Sequence, residues 1–218
     1  MTKGSVKAFL ERKNIEISAR RYGIDALSAM AQGLFCSLLI GTIINTIGTQ
    51  FHIGFLTDPV WIMKSGENAI PYTVGGLAVA MTGPAMAIAI GYALKSPNLV
   101  LFSLAAVGFA ANGLGGAGGP LAVLIIAIIA AEFGKAVAGE TKIDILVVPL
   151  VTIGVGVALS AWWAPGLGAA AMKVGNLIMW ATELRPFMMG ILVSVIVGMA
   201  LTLPISSAAI CAAFGLVG

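Results

Sequence analysis

Residues 99–131 read LVLFSLAAVGFAANGLGGAGGPLAVLIIAIIAA, two apolar runs joined by a turn with five glycines between residues 113 and 119. Gly113, Gly115 and Gly118 satisfy the G-x-G-x-x-G spacing that cradles a dinucleotide pyrophosphate, and Glu132 stands about where an acidic ribose partner is wanted. A dinucleotide fold also needs a strand before the turn and a soluble sheet around it. Here the run before the turn is rich in Ala and Leu and lacks strand alternation, and the run after it is apolar on every face. The turn therefore joins two helices in an apolar setting, and the nucleotide spacing is a coincidence. Two readings of the glycines stay open. They let helices approach closely and the chain turn tightly. Or they form a broken or re-entrant element whose backbone at Gly115 and Gly116, with the side-chain amide of Asn112, meets a polar solute at membrane depth.

The rest of the chain supports a lipid setting. Hydrophobic residues make up 59% of the 218 and charged residues 10%, where a soluble domain carries about 25% charged. The mean hydropathy is +1.03. Too little polar surface exists to cover a soluble globule, so the chain reads as an all-α, polytopic transmembrane helical bundle. The net charge is only +3, and the cations gather at the start: Lys3, Lys7, Arg12, Lys13, Arg20 and Arg21 precede the first long apolar run. That is a cytoplasmic flank by the positive-inside rule, not a nucleic-acid surface. Cys36 and Cys211 lie in apolar runs and read as small hydrophobes. No cleavable leader is visible.

Residues 1–22 form a cytoplasmic segment, with an amphipathic helix over 3–21 whose cations suit anionic lipid headgroups. Residues 23–218 form the membrane domain. Its spans are expected at about 24–48, 69–94, 98–112, 120–139, 144–163 and 186–203, with a seventh run after Pro204. That makes six to seven spans, some broken or re-entrant. A mixed loop is expected at 49–68, a kink at Pro84, and an interfacial connecting helix over 166–184. Pro120 suits a helix start and Gly139 a helix end. The last run is about 14 residues, too short to span, so the chain is expected to be a piece of a longer membrane protein. Gly-Pro before an apolar helix occurs at 83–84 and again at 119–120. Ordinary helix punctuation explains that echo better than a repeat does.

Ionisable residues inside apolar runs are the candidate site. Glu132 and Lys135, at i and i+3 on the fourth span, can pair with each other. Alternatively Glu132 accepts a hydrogen bond from a sugar hydroxyl or acts as a proton-coupled residue, because a carboxylate at depth is costly and is paired or functional. Glu183, beside Arg185 and Pro186, reads first as an exposed interfacial pair and second as a solute contact. One histidine, His52, gives no metal constellation, and no nucleophile, base and acid come together in the sequence. No cofactor and no complete catalytic site are expected.

Four stretches carry a family resemblance. They are YGIDALSAMAQGLFCSLLIGTIINTIG (22–48), VGFAANGLGGAGGPLAVLIIAIIAAEFGKAV (107–137), TKIDILVVPLVTI (141–153) and GNLIMWATELRPFMMGILVSVIVGMALTLPISSAAI (175–210). Together they resemble the membrane-embedded enzyme IIC-like proteins of the bacterial sugar phosphotransferase system. More narrowly, they resemble the branch that includes perfringolysin O regulator-like proteins. The resemblance implies a plasma-membrane permease subunit that binds a sugar or polyol, works with separate cytoplasmic IIA and IIB phosphocarriers, and allows a homodimer. The solute contacts expected from intramembrane polarity are Asn112, Gly115, Gly116, Glu132 and Glu183. The alternative is a membrane sensor that regulates gene expression without net transport. A channel for another small solute is a third reading.

Overall fold

The computed structural model describes residues 3–65, 68–182, 190–191, 194–195 and 198. The expected sixth and seventh spans, Glu183 and Cys211 lie outside the described residues, apart from isolated positions in the sixth. Helix α1 covers Lys3–Arg12. It is shorter than the amphipathic helix expected over 3–21, because Asn14 adopts a left-handed backbone at φ 54° and ends it. The Ile15 N–H then bonds back to the Leu10 carbonyl at 2.9 Å and the Asn14 N–H to the Glu11 carbonyl at 3.1 Å, closing the helix as a Schellman motif does.

Helix α2 runs from Arg21 to Gln50 with π turns at Arg21–Asp25 and Phe35–Leu39. The expected loop at 49–68 is more ordered than the sequence suggested. It holds a short helix, α3 (Gly54–Thr57), and strand β1 (Trp61–Ser65), which pairs antiparallel with β2 (Asn68–Tyr72). Trp61 opposes and stacks on Tyr72 with ring centroids 6.0 Å apart. Pro71 is therefore a strand residue, tolerated because a two-stranded hairpin has only edges, and the second span starts later than residue 69. Helix α4 (Val74–Ala80) begins at Thr73, whose hydroxyl accepts from the Gly76 N–H at 2.9 Å and donates to Asn45 Oδ1 at 2.8 Å.

Helix α5 (Thr82–Ala93) follows α4 at a bend of 50°. The expected kink at Pro84 thus falls one turn earlier, at Met81. Proline clashes with the carbonyl four residues back, which is Ala80, so the break lands there and Pro84 sits in the first turn of α5. Helix α6 spans Asn98–Gly115, about a turn longer than the short third span expected. A single 3₁₀ turn at Gly116–Gly118 leads to α7, Gly119–Val137, with Pro120 in its first turn and Gly139 at φ +77° just after it. Helix α8 is continuous from Asp144 to Thr182, 39 residues with Pro149 and Pro165 inside. Of the connecting helix expected over 166–184, the described residues 166–182 are the last part of α8, not a separate element.

The helices pack through small residues. A Cβ at Gly119 would strike Asn112, and one at Gly134 would lie 2.9 Å from Val100. Helices α6 and α7 are therefore an antiparallel hairpin closed at the glycine turn. Gly83 of α5 and Gly108 of α6 meet backbone to backbone, and a Cβ on either would hit the other's carbonyl oxygen. Gly33 of α2 leaves only 2.6 Å to the Ala85 carbonyl. Helix α8 lies along both arms of the hairpin, with Gly156 against Val107 and Gly118 against Leu167. The centre is filled by Met86, Ile90, Leu104, Val107 and Ile126, among alanines such as Ala111, Ala127 and Ala164.

Large apolar side chains face outward instead: Phe35, Ile43, Phe102, Phe109, Phe133, Leu146, Leu150 and Trp162 are exposed. Small residues inside and large ones outside suit a lipid solvent, where close backbone approach replaces hydrophobic exclusion as the adhesive force. Three stretches are long and apolar enough to cross a membrane, Arg21–Gln50, Asn98–Val137 and Asp144–Lys173, or four if the bent α4–α5 pair counts as one span. The stretch Asn98–Val137 is the hairpin itself.

Candidate functional site

Four of the five predicted site residues lie on the α6–α7 hairpin, at its opposite ends; the fifth, Glu183, lies outside the described residues. At the closed end, Asn112 is half-buried on the last turn of α6, beside Gly83 and Gly119. Gly115 is buried; a Cβ there would meet Ala122 at 3.1 Å and Ala164 at 3.9 Å. A Cβ on Gly168 of α8 would in turn strike the Gly115 carbonyl, so this part of the turn packs against α8. Gly116 takes φ +49° and ψ −122°, a conformation that L side chains resist. Gly113 and Gly116 are exposed, and nothing lies within 4 Å of where a Cβ would be on either.

Glu132 lies far from that turn. From Gly119 to Glu132 helix α7 rises roughly 20 Å at 1.5 Å per residue. At that end the chain ties a polar knot. Lys135, with 1% of its side chain exposed, pairs with Glu132 Oε2 at 2.8 Å, without the alignment of a good hydrogen bond. Its ammonium donates to the Asn14 carbonyl at 3.0 Å and to the Leu94 carbonyl at 3.3 Å. The Tyr22 hydroxyl donates to Glu132 Oε1 at 3.1 Å. Arg21 donates to the Leu94 carbonyl at 2.6 Å and to Asn14 Oδ1 at 3.2 Å, and approaches Glu16 at 3.4 Å.

Leu94 closes α5, so its carbonyl is one that the helix leaves unsatisfied and that the helix dipole makes attractive to cations. Two buried cations meet it there. The pairing of Glu132 with Lys135 could be read from their spacing, and it forms. Tyr22, Arg21 and Asn14 could not, because their partners are 73 to 121 residues away in sequence. The one available signal was that Arg21 and Tyr22 stand directly before an apolar run.

Below the knot, the turn after α7 holds α1. Glu140 Oε1 accepts from both Arg12 and Lys13 at 2.6 Å, and Lys13 also donates to the Ala138 carbonyl. The Lys13 hydrogen bond, with the Arg12 charge beside it, keeps the Glu140 carboxyl below the usual carboxylate range. Asp144, the first residue of α8, ties the preceding turn by accepting from the Gly139 and Thr141 backbone N–H groups and the Thr141 hydroxyl. Among the described residues, no three His, Cys, Asp or Glu side chains gather as a metal site would require.

The hairpin thus carries a half-buried carboxylate towards one end and a half-buried amide at the other. The family model described as "Phosphotransferase system, EIIC" matches residues 24–218. No curated protein and no solved structure matches the chain. The chain belongs to the EIIC family, the membrane permease component of sugar phosphotransferase systems, whose partners are cytoplasmic IIA and IIB proteins.

Proposed function

From that membership we propose that this chain binds a sugar or polyol and carries it across the bacterial plasma membrane, for phosphorylation by separate IIA and IIB partners. The observation that carries the reading is the family match over residues 24–218. The N-terminal segment, residues 1–22, lies on the cytoplasmic side, an orientation supported by its six cations between Lys3 and Arg21. Residues 23–218 form the membrane domain, with six to seven spans and the perfringolysin O regulator-like branch as its narrower affiliation.

The polar groups on the hairpin are two stations, not one pocket. Asn112, Gly115 and Gly116 serve the outer end and Glu132 the inner one, roughly 20 Å apart by the rise of α7. Amide and carboxylate oxygens replace sugar hydration at each; Glu183, a further proposed solute contact, lies outside the described residues. In this reading Tyr22 and Lys135 hold the Glu132 carboxylate until a sugar hydroxyl competes for it.

Uptake of labelled sugars by cells making the full-length protein, with Asn112→Ala or Glu132→Gln, tests the assignment. A drop of tenfold or more in uptake of one sugar is expected from each, since each removes a buried hydrogen bond of about 1.5 kcal/mol or more. Normal uptake in both variants removes these residues from the path. Deleting the protein discriminates the regulator: changed transcripts with no sugar lost from uptake would favour a sensor.

A further inference from the structure

We propose that the end of the bundle carrying the N-terminal segment holds a binding site for a phosphate group, centred on Lys95, and that an anionic phospholipid headgroup supplies it. The proposal rests on the membrane placement of the bundle but not on sugar transport. A cleft of about 370 Å³ opens there, and its wall includes Arg12, Lys13, Asn14, Lys95, Lys135 and Glu140. Four cations face one carboxylate. Three of them have partners: Lys135 is held by carbonyls and Glu132, Lys13 by Glu140 and the Ala138 carbonyl, and Arg12 by Glu140 at 2.6 Å. Arg12 nonetheless stays exposed, as does Lys95, so both can meet an incoming group. An Arg fork beside a Lys point charge is a pairing suited to phosphate oxygens.

Lys95 has a second mark. It follows the last turn of α5 with φ +53°, while the Ser96 N–H bonds back to the Gly91 carbonyl at 3.0 Å. That cap position is normally glycine, because a side chain there is strained. The chain places a long cation where the backbone favours none, and strain of this kind gathers at functional positions.

The surroundings decide the ligand's source. A second cavity, of about 570 Å³, shares Lys95 and continues past Tyr92, Ser96, Asn98 and Leu101. Tyr92 is exposed there, and Leu101 lines the cavity with it. A phosphate at Lys95 thus has an apolar strip leading away from it, as a headgroup joined to acyl chains requires. The site also sits between the end of α5 at Ala93 and the start of α6 at Asn98, just beyond the apolar helices, at the depth where lipid phosphates lie. A third cavity shares Lys95 with Arg20 and Arg21, but Glu16 and Asp25 offset their charge.

The test uses the full-length protein purified in detergent and stripped of lipid. Native mass spectrometry reads retention of phosphatidylglycerol against phosphatidylcholine, and calorimetry reads inorganic phosphate. Wild type should retain phosphatidylglycerol preferentially. Lys95→Gln should weaken it about five-fold, the usual worth of one interfacial lysine. Lys95→Arg should keep it, and Glu140→Gln should tighten it by releasing Arg12 and Lys13. Inorganic phosphate binding with the same Lys95 dependence, without lipid preference, keeps the phosphate site and overturns the lipid source. If Lys95→Gln elutes and melts as wild type does, yet changes neither lipid nor phosphate binding, the site is refuted. Sugar uptake plays no part in this readout, so its loss or survival leaves the result intact.

Discussion

Replacing Lys135 by methionine removes the ammonium from the polar knot while nearly filling its volume, so the cost reports electrostatics and not a cavity. Three contacts are lost: Glu132 at 2.8 Å and the carbonyls of Asn14 at 3.0 Å and Leu94 at 3.3 Å. The carbonyls are the smaller part. Leu94 keeps Arg21 at 2.6 Å, and Asn14 borders an open cleft where water can replace the lysine. The Glu132 carboxylate, with 15% of its side chain exposed, retains only the Tyr22 hydroxyl at 3.1 Å. Breaking one side of a buried pair costs about 3–5 kcal/mol, and the surviving tyrosine bond puts this case near 3. For a chain of this size that lowers Tm by roughly 6–12 °C. Glu132→Gln alone should cost only about 1 kcal/mol, because Lys135 keeps both carbonyls. The double variant leaves no unpaired charge and should be more stable than Lys135→Met alone. Tryptophan fluorescence on the detergent-solubilised full-length protein, at one scan rate, reads all three. A Lys135→Met protein within about 0.5 kcal/mol of wild type, or a double variant equal to the sum of the singles, would refute the coupling.

Gly116→Ala should destabilise by about 1–2 kcal/mol, from its backbone at φ +49° alone. Gly113→Ala, in a helix with open space around it, should be neutral or stabilise by up to about 1 kcal/mol; the same melting assay ranks them, and the reverse order would show the turn is misread. Gly108→Ala drives a methyl into the Gly83 carbonyl and should cost about 3 kcal/mol, the upper range for overpacking because backbone must move; a wild-type melt would mean α5 and α6 do not meet there. Because Glu140 titrates below its ordinary value, its hold on α1 is present above about pH 4.3 and is lost as pH falls through the lowered folded value. A spin label on α1 should stay immobile from pH 5 to 8 and loosen only in stronger acid or high salt; loosening near pH 6 would point to another anchor.

The helices were legible because each apolar run is long and bounded by Pro, Gly or a charge. Pro120 and Gly139 mark the ends of α7 correctly for that reason. The β-hairpin was not legible. Its strands are five residues each, carry Pro71 and Lys64, and lie between spans where a loop was the simpler expectation. Pro165 after Trp162 and Trp163 marks a helix end in the sequence, yet α8 continues through it, because a proline can stay inside a helix that neighbours hold in place. The Glu132–Lys135 pair was legible because both residues lie on one helix. Its tyrosine and carbonyl partners were not, because local periodicity says nothing about contacts across more than 70 residues. The same limit hid the separation of Asn112 from Glu132, which only the direction of α7 reveals.

The depth of the glycine turn is the question on which the transport path depends. Gly115 and Gly118 meet α8 at Ala164, Leu167 and Gly168, yet α8 runs on to Thr182, roughly 20 Å further at 1.5 Å per residue. Helix α2 likewise continues to Gln50, while its Gly33 is level with Ala85 at the head of α5. The turn therefore ends beside two longer helices and not beyond them. Irregular backbone at membrane depth is tolerated only when buried in protein or lining water. Gly115 and Gly118 meet the first condition. Gly116, irregular and with open space around it, can meet only the second, and the exposed Gly113 lies beside it in the last turn of α6. With Cys36 and Cys211 replaced by serine, Gly113→Cys should react with a small water-borne maleimide in intact membranes. Phe109→Cys, at an exposed apolar position one turn lower, should not. Equal silence at both positions would place the turn in lipid or packed protein and reduce its glycines to close packing. Labelling at Gly113 that a transported sugar slows would place the solute at the turn.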